Sequence, residues 1–231
     1  MTSLRNAALF AGYLAVFSLA GVLAWGAHHD GYFAADVDIA LAVQGIRSPL
    51  IDAAMGFLSA LGSRAMSVVI MAVVALCLVA RRYSLEALFV LAGIGGDGLN
   101  YLLKDIVARP RPVSTGLVSV LQADADASFP SGHAVHSVIV FGFLFYLASV
   151  HVQNTAARTG LQALLIALTV LIGLSRIYLG AHWPSDVFGG YLVRGLVLAP
   201  LILLYRLAIR YADLWPVWLR RLSGSSRVLE E

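Results

Sequence analysis

Three short patches hold most of the polar chemistry in this sequence. The first is Lys104-Asp105-Ile106-Val107-Ala108-Arg109-Pro110-Arg111-Pro112, the second Phe129-Pro130-Ser131-Gly132-His133, and the third runs from Ser175-Arg176 to His182-Trp183-Pro184-Ser185-Asp186. Together they supply cations, two imidazoles, a carboxylate and a helix start. That inventory suits transfer of a phosphoryl group. Lys104, Arg111 and Arg176 can neutralise the phosphate oxygens, and the planar arginine fork suits them bidentately. Charge arranged in advance around the reacting group is commonly a leading catalytic contribution. Ser131 is a natural N-cap residue. Gly132 lets the backbone come close to a ligand, and free N–H groups at a helix start bind anions.

His182 and Asp186 are four positions apart. With a helix starting near Trp183 or Pro184, they lie close on one face, and Pro184 fits a first-turn position. Asp186 then accepts from one ring nitrogen of His182 and leaves the other unprotonated, as a nucleophile requires. His133 is the second imidazole, able to protonate a departing alkoxide. The reverse assignment of the two rings stays open, although only His182 has a carboxylate at orienting distance in sequence.

The elements that must position these groups are apolar helices. Of 231 residues, 60% are hydrophobic and 13% charged, against about a quarter charged in an ordinary globular domain. Mean hydropathy is +0.84. The expected fold is all-α and polytopic, with six transmembrane spans near residues 7–26, 65–78, 83–104, 133–150, 160–178 and 184–205. Residues 51–61 lie in the interface before the second span. The first apolar stretch exceeds the usual signal-peptide core of about 7–15 residues, so it reads as a retained span. More arginines gather on the side holding Arg5, Arg81, Arg82, Arg158, Arg206 and Arg210, so both termini are expected in the cytoplasm and the three patches on the opposite face. Residues 1–210 form one domain, and 211–231 a cytoplasmic tail, either interfacial or disordered. The net charge of +3 with scattered basic residues argues against nucleic acid. The lone Cys77 excludes an intramolecular disulfide.

The three patches resemble the motifs of the type 2 phosphatidic acid phosphatase superfamily: Lys, six residues, Arg-Pro; Pro-Ser-Gly-His; and Ser-Arg, five residues, His, three residues, Asp. Every motif position matches, over about residues 95–200. The resemblance, to the integral-membrane branch, implies that His182 attacks phosphorus and forms a phosphohistidine. It implies that His133 protonates the leaving group and later helps activate water, and that Lys104, Arg111, Ser131, Gly132 and Arg176 hold the phosphate. It implies no metal or other cofactor. The implied partner is a lipid phosphate in the inner membrane, with the site facing the periplasm or exterior. Candidate substrates are phosphatidic acid, phosphatidylglycerophosphate, undecaprenyl pyrophosphate and a lipid A phosphate. A lipid phosphotransferase would use the same phosphohistidine. The related vanadate-dependent haloperoxidases are soluble, and a non-enzymatic scaffold would not need the whole residue set. Oligomeric state is not encoded legibly.

Other residues carry weaker expectations. His28, His29 and His151 read as ordinary interfacial or packing side chains. His136 lies on the face of His133, as either a supporting or a packing residue. Arg109 reads as a headgroup contact or a solvated side chain. Tyr178 and Trp183 are candidates to bound the pocket, and Asn100 to brace Lys104 or line the site. Asp97 and Arg194 lie about 10 and 12 Å deeper than the patches. Charges at that depth usually face partners, so a direct Asp97–Arg194 pair is expected to lock the third span to the sixth.

Overall fold

The computed structural model describes residues 2–211; its regular elements are all helices, joined by loops of which the longest lies before residue 132, with no strand among the described residues. The elements are α1 (Thr2–Asp30), α2 (Ala34–Gln44), α3 (Pro49–Leu61), α4 (Arg64–Ala80), α5 (Ser84–Ala92), α6 (Asp97–Val107), α7 (Gly132–His151), α8 (Thr155–Tyr178) and α9 (Pro184–Arg210). Apart from Tyr211, the expected tail lies outside the described residues.

Local chemistry sets several of the boundaries. Ser48, Ser63 and Asn154 cap α3, α4 and α8, each side chain accepting from the N–H three residues on. Pro49 and Pro184 occupy first-turn positions. α7 lies at the centre, packed on α8 and α9. Its Ile139, Phe143 and Leu147 meet Met71, Leu85, Ile172 and Tyr205 in the main core. The outer surface is equally apolar: Leu9, Phe10, Phe17 and Trp25 on α1, Leu76 on α4, Ile166 on α8 and Leu204 on α9 all project outward. Helices with satisfied backbones and apolar exteriors are what a bilayer accepts.

Four helices are long and apolar enough to cross a membrane: Asn6–Asp30 within α1, then α7, α8 and α9. α3 and α4 meet the same test only as a pair, bent by 58° at the break between them. Among the described residues the helices that meet this test therefore give four spans, or five with the bent pair counted as one, short of the six continuous spans expected. The third expected span, 83–104, is interrupted by a short 3-10 turn at Gly93–Gly96. Gly93, Gly95, Gly96 and Gly98 crowd this stretch, and each costs helix stability, roughly 1 kcal/mol relative to alanine.

The break corrects a second expectation. Arg194 does not pair directly with Asp97; its guanidinium donates to the Gly93 carbonyl at the interruption. Asp97, at the start of α6, instead faces Arg64 at 3.0 Å and His136 at 3.2 Å. The two helical segments are still tied to α9 at this depth, but through a backbone acceptor. Losing a charged donor from a buried carbonyl costs about 1.5–3 kcal/mol. Arg194→Gln is therefore expected to lower the midpoint of thermal unfolding in detergent, and Arg194→Lys to lower it less. An unchanged midpoint in the glutamine variant would contradict this role.

Candidate active site

The patches meet at one end of the bundle. α6 delivers Lys104 near its last turn, and the loop after it carries Arg109 and Arg111. α8 ends with Arg176, and α7 begins at Gly132. Between α8 and α9 the chain turns sharply at Gly180, where φ is +69°. A side chain there would also collide with the backbone of Ser119 and Val120. Gly190 serves a second close approach, since a Cβ on it would lie 2.9 Å from the Ser131 carbonyl oxygen. That approach seats the start of α7 on α9, where the Ser131 N–H donates to the Asp186 carbonyl at 3.0 Å.

His182 is buried, 2% exposed. Its Nε2 lies 3.2 Å from Nη1 of Arg111. A guanidinium only donates, so Nε2 must present its lone pair. The neutral ring then carries its proton on Nδ1, which faces Oδ2 of Asp186 at 3.6 Å. The carboxylate is where the spacing places it, just beyond hydrogen-bond distance. Burial pushes the His182 pKa down to about 4, with the Arg111 and Arg176 charges adding to the drop against the opposing pull of Asp186. A cavity of about 230 Å³ opens beside the ring, lined also by His133, Gly132, Lys104 and Arg111. Asn100 and His136 line the same cavity, together with Arg64 and Tyr101.

The three expected phosphate cations converge on two carboxylates. Lys104 lies 3.2 Å from Asp126 and donates to the Ala127 carbonyl. Arg111 binds both carboxylates, with Asp124 at 3.1 Å, and donates to the Asp126 and Ala181 carbonyls at 2.7 Å each. Arg176 reaches Asp124 at 2.7 Å and donates to Ser59 and Gln122. Burial raises the Asp126 pKa, but Lys104 and Arg111 beside it outweigh that and hold it below the usual carboxylate range. Ser131 stands at the N-cap of α7, yet its hydroxyl makes no capping bond and is buried without a partner.

Several residues here escaped the sequence reading. Arg109 is neither a headgroup contact nor solvated: it is 1% exposed. Its guanidinium binds Asp186 Oδ1, Asp36 Oδ2 at 2.7 Å, Ser185 Oγ at 2.7 Å and the Gly31 carbonyl at 2.8 Å. Asp186 Oδ2 also accepts from the Ser128 hydroxyl and from the Trp183 N–H at 2.9 Å. Only the position of Arg109, two residues before the motif arginine, hinted at a site role. Asp36, Asp124, Asp126 and Ser128 lie in segments with no distinguishing pattern. Tyr178 does not border the cavity; its hydroxyl donates to Asp52 at 2.6 Å. Trp183 is buried against Tyr32, their ring centroids 5.5 Å apart. His28 keeps its structural reading and ties α1 to α6 by donating to the Val107 carbonyl at 3.0 Å.

The PAP2 superfamily model matches residues 83–210, more than half of the chain. The chain belongs to the PAP2 superfamily. It is a phosphatase of the type 2 phosphatidic acid phosphatase kind, as the motifs imply. Phosphatidylglycerophosphatase B of Bacillus subtilis is 28% identical over 172 residues, covering 74% of this chain and 83% of the relative. Undecaprenyl-diphosphatase BcrC of the same organism is 30% identical over 125 residues, 54% of this chain and 56% of the relative. In structure, the transmembrane PAP2-type phosphatidylglycerolphosphate phosphatase from Bacillus subtilis superposes with a TM-score of 0.73 at 25% identity, over 82% of this chain and 93% of that one. LpxE of Aquifex aeolicus gives a TM-score of 0.56 at 26% identity, over 74% and 94% of the two chains. The apolar helices and these relatives identify a multi-pass membrane protein.

The geometry makes two outcomes measurable. The histidine NMR signal that disappears in His182→Gln should titrate near pH 4, not near the ordinary value of about 6.5. Below that pH the ring holds a second proton and Nε2 loses its lone pair. A midpoint between 6 and 7, on the order of the unperturbed value, would contradict the burial of this ring. Separately, Asp124→Asn and Asp126→Asn each remove an anion that competes for the three cations. Inorganic phosphate and vanadate should inhibit both variants at lower concentration than the parent. Weaker inhibition in both would mean that the carboxylates chiefly hold the cations in place.

Proposed function

We propose that this chain hydrolyses a lipid phosphate or lipid diphosphate through a phosphohistidine on His182. The observation that carries this reading is the convergence of Lys104, Arg111 and Arg176 on one pair of carboxylates beside the unprotonated Nε2 of His182. A set of cations that grips carboxylate oxygens suits phosphate oxygens in the same space.

The reaction takes two displacements. The Nε2 lone pair of His182 forms a bond to phosphorus, and the bond from phosphorus to the leaving oxygen breaks with its electron pair on oxygen. His133, in the same cavity, gives that oxygen a proton. The His182 ring gains positive charge while Nδ1–H faces Asp186, so the carboxylate stabilises the intermediate more than the resting ring. Water then gives a proton to His133 and attacks phosphorus. The P–N bond breaks, its electrons return to Nε2, and phosphate leaves. Lys104, Arg111 and Arg176 hold the phosphoryl oxygens throughout, with Ser131 and the backbone at Gly132 completing the cradle.

The proposed setting is the inner membrane, with both termini cytoplasmic and the site facing the periplasm or exterior. α5 and α6 with their glycine break, and α3 with α4, would each cross once, bringing the spans to six. Residues 1–210 form the phosphatase domain and 211–231 its tail. Substrates are drawn from the named activities of the relatives: phosphatidylglycerophosphate and undecaprenyl diphosphate rank level. Phosphatidic acid and a lipid A phosphate, the latter matching a lipid A 1-phosphatase relative, rank below them.

Phosphate release from a panel of these lipids, in detergent and without an acceptor lipid, tests the reading. His182→Ala should lose at least about three orders of magnitude in kcat, as removal of a covalent nucleophile does, while its thermal midpoint stays close to that of the parent. Vanadate should inhibit the parent. Substantial turnover by His182→Ala would remove the phosphohistidine, and substrate loss only on adding an acceptor lipid, with the phosphoryl group recovered on that acceptor, would make the protein a phosphotransferase.

A further inference from the structure

We propose that Asp36 and Arg109 form a buried charged triad with Asp186, and that this triad positions the carboxylate behind His182 and sets how strongly the ring holds positive charge. The inference rests on His182 being the nucleophile. Asp36 and Arg109 are positioning residues in this scheme, because neither reaches the reacting atoms.

The connections are continuous and buried. Asp36, on α2, binds Nη2 of Arg109 at 2.7 Å, and Arg109 binds Oδ1 of Asp186 through Nη1. The side chains of Arg109 and Asp186 are 0% exposed and that of Asp36 is 3%. Asp36 also takes the Ser185 N–H at 2.8 Å and the Ser185 hydroxyl at 2.8 Å, so it grips the first turn of α9 beside Asp186. Asp36 lies outside residues 83–210, the stretch matched by the family model.

Charge bookkeeping gives the triad its effect. Arg109 and Asp186 alone would be a neutral pair, with Arg109 offsetting part of the pull of Asp186 on the His182 ring. With Asp36 the set carries one net negative charge in a buried setting, where electrostatic interactions are strong. That charge matters most when the ring becomes cationic, as it does once Nε2 bonds to phosphorus and the leaving oxygen departs. Arg111 from the loop after α6, at 3.2 Å, and Arg176 from α8 oppose it, and His133 from α7 lines the same cavity. Asp124 and Asp126 offset those cations from the loop before α7. The triad is the source of negative charge on the Nδ1 side.

Two substitutions pull in opposite directions. Asp36→Asn removes a negative charge, so the His182 midpoint read by NMR should fall and kcat should drop by about tenfold or more, the rate equivalent of about 1.4 kcal/mol. Arg109→Met removes a positive charge, so the midpoint should rise. The double variant should return towards the parent midpoint. Asp36→Glu and Arg109→Lys keep charge and change shape; both should lower kcat at an unmoved midpoint, and they serve if the first two variants fail to fold. Midpoints unmoved or moved the same way by Asp36→Asn and Arg109→Met, or displaced by the charge-preserving variants, would overturn the triad. An active His182→Ala would instead overturn the nucleophile, and it is measured on the same preparation.

Discussion

Four cations buried at one end of an apolar bundle are the constraint that the rest of this structure answers. Lys104, Arg109, Arg111 and Arg176 are each no more than 6% exposed. A buried charge left alone costs several kcal/mol on the order of its desolvation, so each must find anions or carbonyls locally. The fold supplies two kinds. Arg109 is balanced by Asp36 and Asp186, both fully enclosed and fixed on helices. Lys104, Arg111 and Arg176 are balanced by Asp124 and Asp126 on a loop, with side chains 38% and 50% exposed. One set is enclosed and the other half open to solvent, and under the proposed function it is the second that phosphate displaces. An exchangeable anion is what a phosphate-binding site needs between turnovers, because cations without any partner would not remain buried.

The same economy explains the irregular backbone within the bundle. Unpaired carbonyls at membrane depth are tolerated only where protein satisfies them. The break at Gly93–Gly96 exposes one, and Arg194 reaches across from α9 to take it. A charge that looked like half of an ion pair is a backbone clamp. Asp97 instead faces His136 and Arg64, two residues that line the cavity, and so supports its wall from behind.

How much of this was legible depends on where the information lies. The motif spacings locate Lys104, Arg111, His133, Arg176 and His182 because helix periodicity and the shared end of the bundle place them. The order of apolar runs gives the helices, and the 83–104 run misleads because four glycines are invisible to a hydrophobicity pattern. Asp36, Asp124, Asp126 and Ser128 were not legible. Their roles are created by tertiary contacts between positions as far as 149 apart in sequence, and no local period encodes such pairs. Arg109 sat in plain view but was read by its exposed-loop context, when the deciding fact was the carboxylate that α2 brings to it.

The gap between His182 and Asp186 bears on how such a site divides its work. At 3.6 Å the carboxylate is near enough to act as a charge but makes no full hydrogen bond to the resting ring. Its hydrogen-bonding capacity goes to Arg109, Ser128 and the Trp183 N–H instead. A tight bond to the neutral ring would stabilise the ground state as well as the cationic intermediate, and uniform stabilisation does not speed chemistry. Held slightly back by its other partners, Asp186 would act most strongly in the proposed reaction, when the ring becomes cationic. Arg111 makes the complementary arrangement at Nε2: it occupies the lone pair at rest and keeps the ring neutral. In the proposed reaction, incoming phosphate oxygens compete for that guanidinium and free the lone pair as a phosphorus atom arrives to receive it.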